Sequence, residues 1–229
     1  MVKKNSINIF MFFFSGDGYK NYLKRLIDII GSLILIIIFS PIYFVTALII
    51  KLDSPGPIFA DVPERIGKDG NKFKMYKFRS MVVNAHYLLR QDDRFKKLFE
   101  EYKKSSYKLK KDPRVTKVGK FIRRHSIDEI PQIFNVLRGE MSLVGPRAYY
   151  PDELENQQKQ FPHTRKLMKK VLSVKPGVTG LWQVSGRSEI NFDKRISMDA
   201  QYIDRISLWL DLEIIFKTPM VMLTGNGAV

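Results

Sequence analysis

From residue 26 to residue 50 the chain is almost uninterruptedly apolar, with Asp28, Gly31, Ser32, Ser40, Pro41 and Thr46 as the exceptions. As a helix, roughly 25 residues reach about 37 Å, enough to cross the hydrocarbon core of a bilayer. Two features bear on how such a helix sits. Pro41 has no N–H, so the Ile37 carbonyl loses its helical donor. Ser40 is pushed away from the helical region, and its hydroxyl can bond back to an earlier carbonyl and ease a bend. Both flanks are also positive: Lys20, Lys24 and Arg25 precede the run, and Lys51, Arg65, Lys68, Lys72 and Lys74 follow it. Positive flanks favour the cytoplasm. A helix that enters, bends at Ser40-Pro41 and returns satisfies that bias at both ends. A spanning helix with a proline kink satisfies it at one end and is the plain alternative; a buried hairpin of a soluble protein is a third.

Lys and Arg total 39 against 23 Asp and Glu, a formal charge of +16. That excess points to anionic partners: phospholipid headgroups, nucleotides, phosphorylated lipids or nucleic acid. The absence of cysteine excludes disulfides and thiolate metal sites. The three histidines, His86, His125 and His163, are too scattered to suggest a histidine zinc site.

The chain divides into a basic and then apolar leader over 1–19, the membrane segment over 20–52, and a soluble-looking lobe over 53–229. In the lobe, 57–60, 64–66 and 71–78 suggest short strands, with Asp69-Gly70 as the turn of a small β-hairpin. Helical spacing is expected over 85–104, 131–137 and 152–173, and over 191–223 with a break at Pro219. Residues 175–187 read as a glycine-rich loop. The fold class expected is α+β and helix-dominated. The stretch 203–223 is amphipathic; a core helix is the favoured reading and a helix lying on the membrane the alternative.

The densest chemistry lies in Arg123-Arg124-His125-Ser126-Ile127-Asp128-Glu129-Ile130-Pro131-Gln132. Pro131 suits a first helical position, which puts two carboxylates at the positive end of a helix dipole, a place that also attracts phosphate. The bland reading is a capping box, with Ser126 as cap and Glu129 reaching back. The neighbourhood adds Lys77-Phe78-Arg79-Ser80, Gly145-Pro146-Arg147, and the loop from Pro176 to Arg187, whose glycines allow close backbone approach to a ligand. Each alone is a weak signal.

Together, and with Lys24-Arg25-x-x-Asp28, Ser40-Pro41, Lys51-Leu52-Asp53-Ser54-Pro55-Gly56-Pro57, Asp112-Pro113-Arg114-Val115-Thr116, Asn135-Val136-Leu137-x-Gly139 and Met141-Ser142-Leu143-Val144, these motifs resemble the bacterial sugar transferase family, the monotopic phosphoglycosyl transferases. The resemblance runs from about Tyr22 to the C-terminus. It implies a re-entrant membrane helix-hairpin bent at Ser40-Pro41 and a cytoplasmic catalytic domain with interfacial helices. It implies Asp128 as nucleophile and Glu129 as a ligand of Mg²⁺, with Asp128 beside the metal. It also implies a phosphate site lined by Lys77, Arg79 and Arg147; Arg123, Arg124 and Arg187 are counted with them as candidate phosphate-binding cations. Ala148 departs from the family's usual second proline, and Asp61 from its common glutamine.

The activity implied is transfer of a sugar-1-phosphate from a UDP-sugar to polyprenyl (undecaprenyl) phosphate, with UMP released. It would start the assembly of exopolysaccharide, capsule, O-antigen or glycoprotein glycans. The expected setting is the cytoplasmic face of a bacterial inner membrane, among membrane lipids and without nucleic acid; a homo-oligomer is left open. A basic membrane-tethered adaptor without catalysis is the alternative from another class, and a nucleotide-sugar hydrolase the alternative within enzymes.

Overall fold

The computed structural model describes residues 14–105, 107, 109, 111–186 and 190–224. A helical path begins at Gly16 and continues through a wide turn over Tyr19–Leu23 into helix α1, Lys24–Asp53. Its 30 residues span about 45 Å, and it is long and apolar enough to cross a membrane. The helix is continuous through Pro41. Ser40 Oγ donates to the Ile37 carbonyl at 2.8 Å, occupying the acceptor that the proline leaves without an amide.

One stripe of α1 is buried against the lobe through Asp28, Ser32, Thr46 and Ile50. Asp28 accepts hydrogen bonds from Ser142 Oγ and the Leu143 amide, both at 2.9 Å. The rest is exposed and apolar, including Ile30, Ile34, Ile37, Phe44, Leu48 and Leu52. A water-soluble fold leaves no such surface bare, and a bilayer is the solvent it suits.

The lobe follows. Strands β1, Arg65–Ile66, and β2, Lys72–Phe73, pair antiparallel with Arg65 opposite Phe73. This is the expected hairpin, shorter than its sequence suggested. The expected helix over 85–104 is two helices, α2 (Ala85–Gln91) and α3 (Lys96–Lys104), separated by a tight turn. Helix α4, Lys117–Arg124, is capped by Thr116, whose Oγ1 accepts from the Gly119 amide at 2.9 Å. Helix α5, Gln132–Arg138, ends at Gly139 in the left-handed region. Strand β3, Ser142–Val144, then pairs in parallel with β4, Gly177–Thr179, and helices α6 (Pro151–Gln160) and α7 (Arg165–Val171) make the crossover.

The segment read as a glycine-rich loop is therefore β4 followed by a short helix, α8, Leu181–Ser185. Its glycines serve packing. A Cβ on Gly177 would stand 2.0 Å from the Gly145 amide nitrogen, because the two backbones cross in contact. The crossing is closed by the Gly145 amide on the Thr179 carbonyl at 2.9 Å and the Gly177 amide on the Pro146 carbonyl at 2.8 Å.

Helices α9, Phe192–Asp204, and α10, Leu208–Thr224, are the last elements among the described residues. Pro219 lies inside α10 and does not end it. The start of α1 is tied to α10 at buried Asp211, which pairs with Lys24 and accepts from Tyr19 and Tyr202 hydroxyls at 2.7 Å. Tyr19, placed in the leader by sequence, is thus fully buried. The main core joins Tyr19, Val136, Met141, Val144, Tyr202 and Ile214. Helix α10 turns Ile214 inward and leaves Trp209, Phe216, Met220 and Leu223 exposed on the opposite side. One face of α10 is thus core, as the favoured reading of the sequence expected, and the other is bare and apolar.

Candidate active site

Helix α4 ends at Arg124 with His125 as its C-cap, and Ser126 then takes left-handed torsions, φ 55° and ψ 22°. For a residue with a side chain that conformation costs about 1–2 kcal/mol. It turns the chain sharply into a single 3-10 turn, Ile127–Glu129, which runs into α5. Ser126 makes no side-chain capping bond, and Glu129 reaches Lys77 instead, so the capping box does not form. The sharp turn places Asp128 and Glu129 at the wall of a cavity of about 290 Å³.

The Phe78 amide donates to the Asp128 backbone carbonyl at 3.0 Å, which sets the 77–79 segment beside the dyad. Lys77 Nζ lies 2.6 Å from Glu129 Oε1 and 3.6 Å from Asp128 Oδ2. Burial pushes the Asp128 carboxyl above the usual range; Lys77 pulls it down, adjacent Glu129 pushes it up, and Arg123 pulls it down. Burial works against the charge of Lys77, but Glu129 and Asp128 together hold its ammonium above the usual range. The result is a nearly buried carboxylate whose charge is supported chiefly by Lys77, with Arg123 and a backbone hydrogen bond behind it.

The other expected cations divide. Arg123 and Arg147 line the cavity with Lys77. Arg147 Nε is 3.8 Å from Glu153, and its guanidinium lies 5.4 Å from the Trp182 ring centre. Arg79 also lines the cavity, yet its guanidinium donates to the carbonyls of Pro55 at 2.6 Å, Ser54 at 2.7 Å and Ile50 at 3.3 Å. It holds the end of α1 to the site. Arg124 is exposed and lies outside the cavity wall. Arg187 lies outside the described residues. Ser40 and Pro41 sit in α1, apart from the cavity.

Sequence reasoning missed the support behind these cations. Glu153 is fully buried, 3.9 Å from Arg65 and 3.8 Å from both Arg147 and Arg195. Arg65 lines the cavity and stacks on Tyr150, 3.2 Å from its ring centre. His86 lines the cavity too; burial, and then Arg114, Arg65, Arg90 and Lys77, push its imidazole down to about 3, so it stays neutral near pH 7. Asp199, fully buried behind Arg147, is pushed up to about 7 by burial. No local pattern announces these residues; Glu64-Arg65-Ile66 reads as ordinary strand.

Among the described residues, no three Asp, Glu or His side chains converge as a self-sufficient metal cage. The dyad offers two carboxylates at the edge of a cationic cavity. That arrangement suits phosphoryl chemistry, in which cations offset the anions brought together.

Comparison with known proteins agrees. The chain is 42% identical over 207 residues to the UDP-galactose-lipid carrier transferase of Erwinia amylovora, covering 90% of this chain and 42% of that protein. It is likewise 42% identical over 207 residues to the undecaprenyl-phosphate galactose phosphotransferase of Salmonella typhimurium, again covering 42% of the relative. It therefore spans less than half the length of these two relatives. The exopolysaccharide production protein ExoY of Rhizobium meliloti is 38% identical over 205 residues, with 90% of this chain and 87% of the relative covered. The family model for bacterial sugar transferases matches residues 19–225, and the chain belongs to that family.

Proposed function

We propose that the chain transfers a sugar-1-phosphate from a UDP-sugar to a polyprenyl phosphate at the cytoplasmic face of the membrane. The observation that carries this reading is Asp128, nearly buried at a cationic cavity and held beside Lys77. Asp128 attacks the β-phosphorus of the donor and UMP leaves, forming a phosphosugar-aspartyl bond. The acceptor phosphate then attacks the same phosphorus and restores the carboxylate. Lys77, Arg123 and Arg147 draw the donor phosphates in and offset the repulsion between carboxylate and diphosphate, about 4 kcal/mol per unit pair at about 4 Å.

The dyad also fits Mg²⁺, which takes oxygen ligands from one or two carboxylates and completes its shell with phosphate and water. Glu129, with Asp128 beside it, would hold the ion, and bound there it would supply charge neutralisation for the transferring phosphoryl group. A lipid acceptor accounts for α1, whereas water as acceptor does not.

The docking of α1 supports a re-entrant placement. Arg25, near its start, donates to the carbonyls of Val136 and Leu137 at 2.5 and 2.8 Å. Tyr43, in its second half, donates to the Ile130 carbonyl at 2.8 Å, and Arg79 bonds its end at Ile50. Both halves thus grip the same lobe. A transbilayer placement would put one grip on the far side and drag the lobe through hydrocarbon.

Asp128→Asn and Asp128→Ala are expected to abolish UMP release while the chain still inserts in membranes, and chelation with EDTA is expected to stop the wild type until Mg²⁺ is restored. Retained turnover in either variant removes Asp128 from the nucleophile role.

A further inference from the structure

The chemistry at Asp128 accounts for the cations of the cavity but not for a row of aromatic rings that leads away from it. Phe59 stacks on Phe78 with centroids 5.7 Å apart and planes 7° from parallel. Phe78 meets Tyr43 of α1 edge-on at 5.4 Å, and Tyr43 meets Phe134 of α5 edge-on at 5.8 Å. One end of the row is in the site: Phe59 and Phe78 line the cavity, Phe78 almost wholly buried among its neighbours at 2% exposure, and the Phe78 amide is bonded to the Asp128 carbonyl. The other end reaches the surface beside the bare apolar face of α1, where Phe134 is 40% exposed. Phe59 is 47% exposed at the cavity. The Tyr43 hydroxyl is tied to the Ile130 carbonyl, so the middle of the row is held in place.

We propose that the exposed rings of Phe59 and Phe134, held in line by the packed rings of Phe78 and Tyr43 between them, form an isoprenoid-binding track that guides the first units of the acceptor lipid from the bilayer to Asp128. The proposal rests on the polyprenyl-phosphate reading above and names the part of the acceptor that the chain recognises. The acceptor phosphate must reach Asp128 while its tail stays among lipids, and the track joins those two places. Hydrophobic transfer adds little, because the tail already lies in a solvent as apolar as leucine. What the protein can add is close dispersion contact with flat ring faces and edges. Isoprene units carry planar double bonds and branching methyls that give more such contact than a saturated straight chain. The track therefore discriminates tail chemistry, while the cations bind the phosphate whatever its tail.

The test uses the full chain in phospholipid vesicles, with Phe59→Leu and Phe134→Leu singly and combined. Leucine keeps an apolar side chain and removes the ring. Two readouts are taken: UMP released on donor addition without acceptor, and product formed with undecaprenyl phosphate or with a saturated straight-chain alkyl phosphate of matching length. The wild type is expected to prefer the polyprenyl acceptor at least tenfold in kcat/KM. The double variant is expected to lose most of that preference through a higher acceptor KM, and Phe134→Leu alone, which lies outside the cavity wall, is expected to lose part of it with UMP release retained. A wild type that does not discriminate, or a double variant that keeps the full preference, overturns the track. So does a Phe134→Leu variant that loses UMP release and lipid transfer in the same proportion, which would assign the rings to folding. No UMP release and no lipid product in the wild type would instead sink the transferase reading, and the track with it.

Discussion

Lys77→Met isolates the electrostatics of the site. Lys77 Nζ is 3.6 Å from Asp128 Oδ2, and its side chain is 18% exposed. At that separation and an effective dielectric near 20, the attraction is about 4–5 kcal/mol. Burial and Glu129 both favour protonated Asp128, and with Lys77 gone only the more weakly acting Arg123 and a backbone hydrogen bond oppose them. Each 1.4 kcal/mol is about a tenfold change. Allowing for partial compensation by water entering the site, the first UMP release at neutral pH should fall about 100- to 1000-fold. The sign follows from the same forces. Protonation destroys the nucleophile, so the acidic limb of the pH–rate profile should move to higher pH and the deficit should shrink in alkali. Lys77→Arg keeps the charge and should keep the limb nearer its original place. Single-turnover UMP release measured across pH for the three proteins checks this. A Lys77→Met deficit that is the same at every pH would refute the reasoning, because it would leave Lys77 as a phosphate-binding or packing residue and not the counter-charge of Asp128.

The chain has no cysteine, so single cysteines at Lys51 and at later lobe positions report topology directly. In intact cells they should resist an impermeant external thiol reagent and react after permeabilisation; external labelling at any of them would rule out the re-entrant placement. Asp199 should shape stability against pH. Its folded carboxyl is pushed up to about 7 from the usual 3.8, so the contribution of its bound proton is full below about 4 and is lost as pH rises to about 7. The swing is on the order of 4 kcal/mol. Denaturant melts of Asp199→Asn should lose that slope, and an unchanged slope would show that Asp199 does not titrate on folding.

Much of this architecture was legible along the chain because it depends on local properties. The length and greasiness of 26–50 demanded α1, and Pro41 next to Ser40 foretold the bond from the Ser40 hydroxyl to Ile37. The turn at Asp69-Gly70 foretold the β1–β2 hairpin. The Asp128-Glu129 pair stood out through its basic neighbours and motif context. Other features were illegible because they depend on residues far apart in sequence. Gly177 reads as a flexible loop residue until Gly145 is seen pressed against it. Arg79 reads as a ligand for phosphate until the end of α1 arrives to occupy its guanidinium. Ser126 and Glu129 match a capping box until Lys77, fifty-two positions away, takes the glutamate.

Anchor, hairpin and dyad were thus determined by the sequence alone, since hydropathy, backbone restriction at proline and glycine, and side-chain charge act over one or two turns of chain. Which cations face the dyad, which carboxylates hold those cations, and which aromatic rings join the cavity to the lipid face were decided only in three dimensions. Those relations arise when α1, α4, α5 and the crossover pack together, and the field at Asp128 is set by distances that sequence separation does not encode.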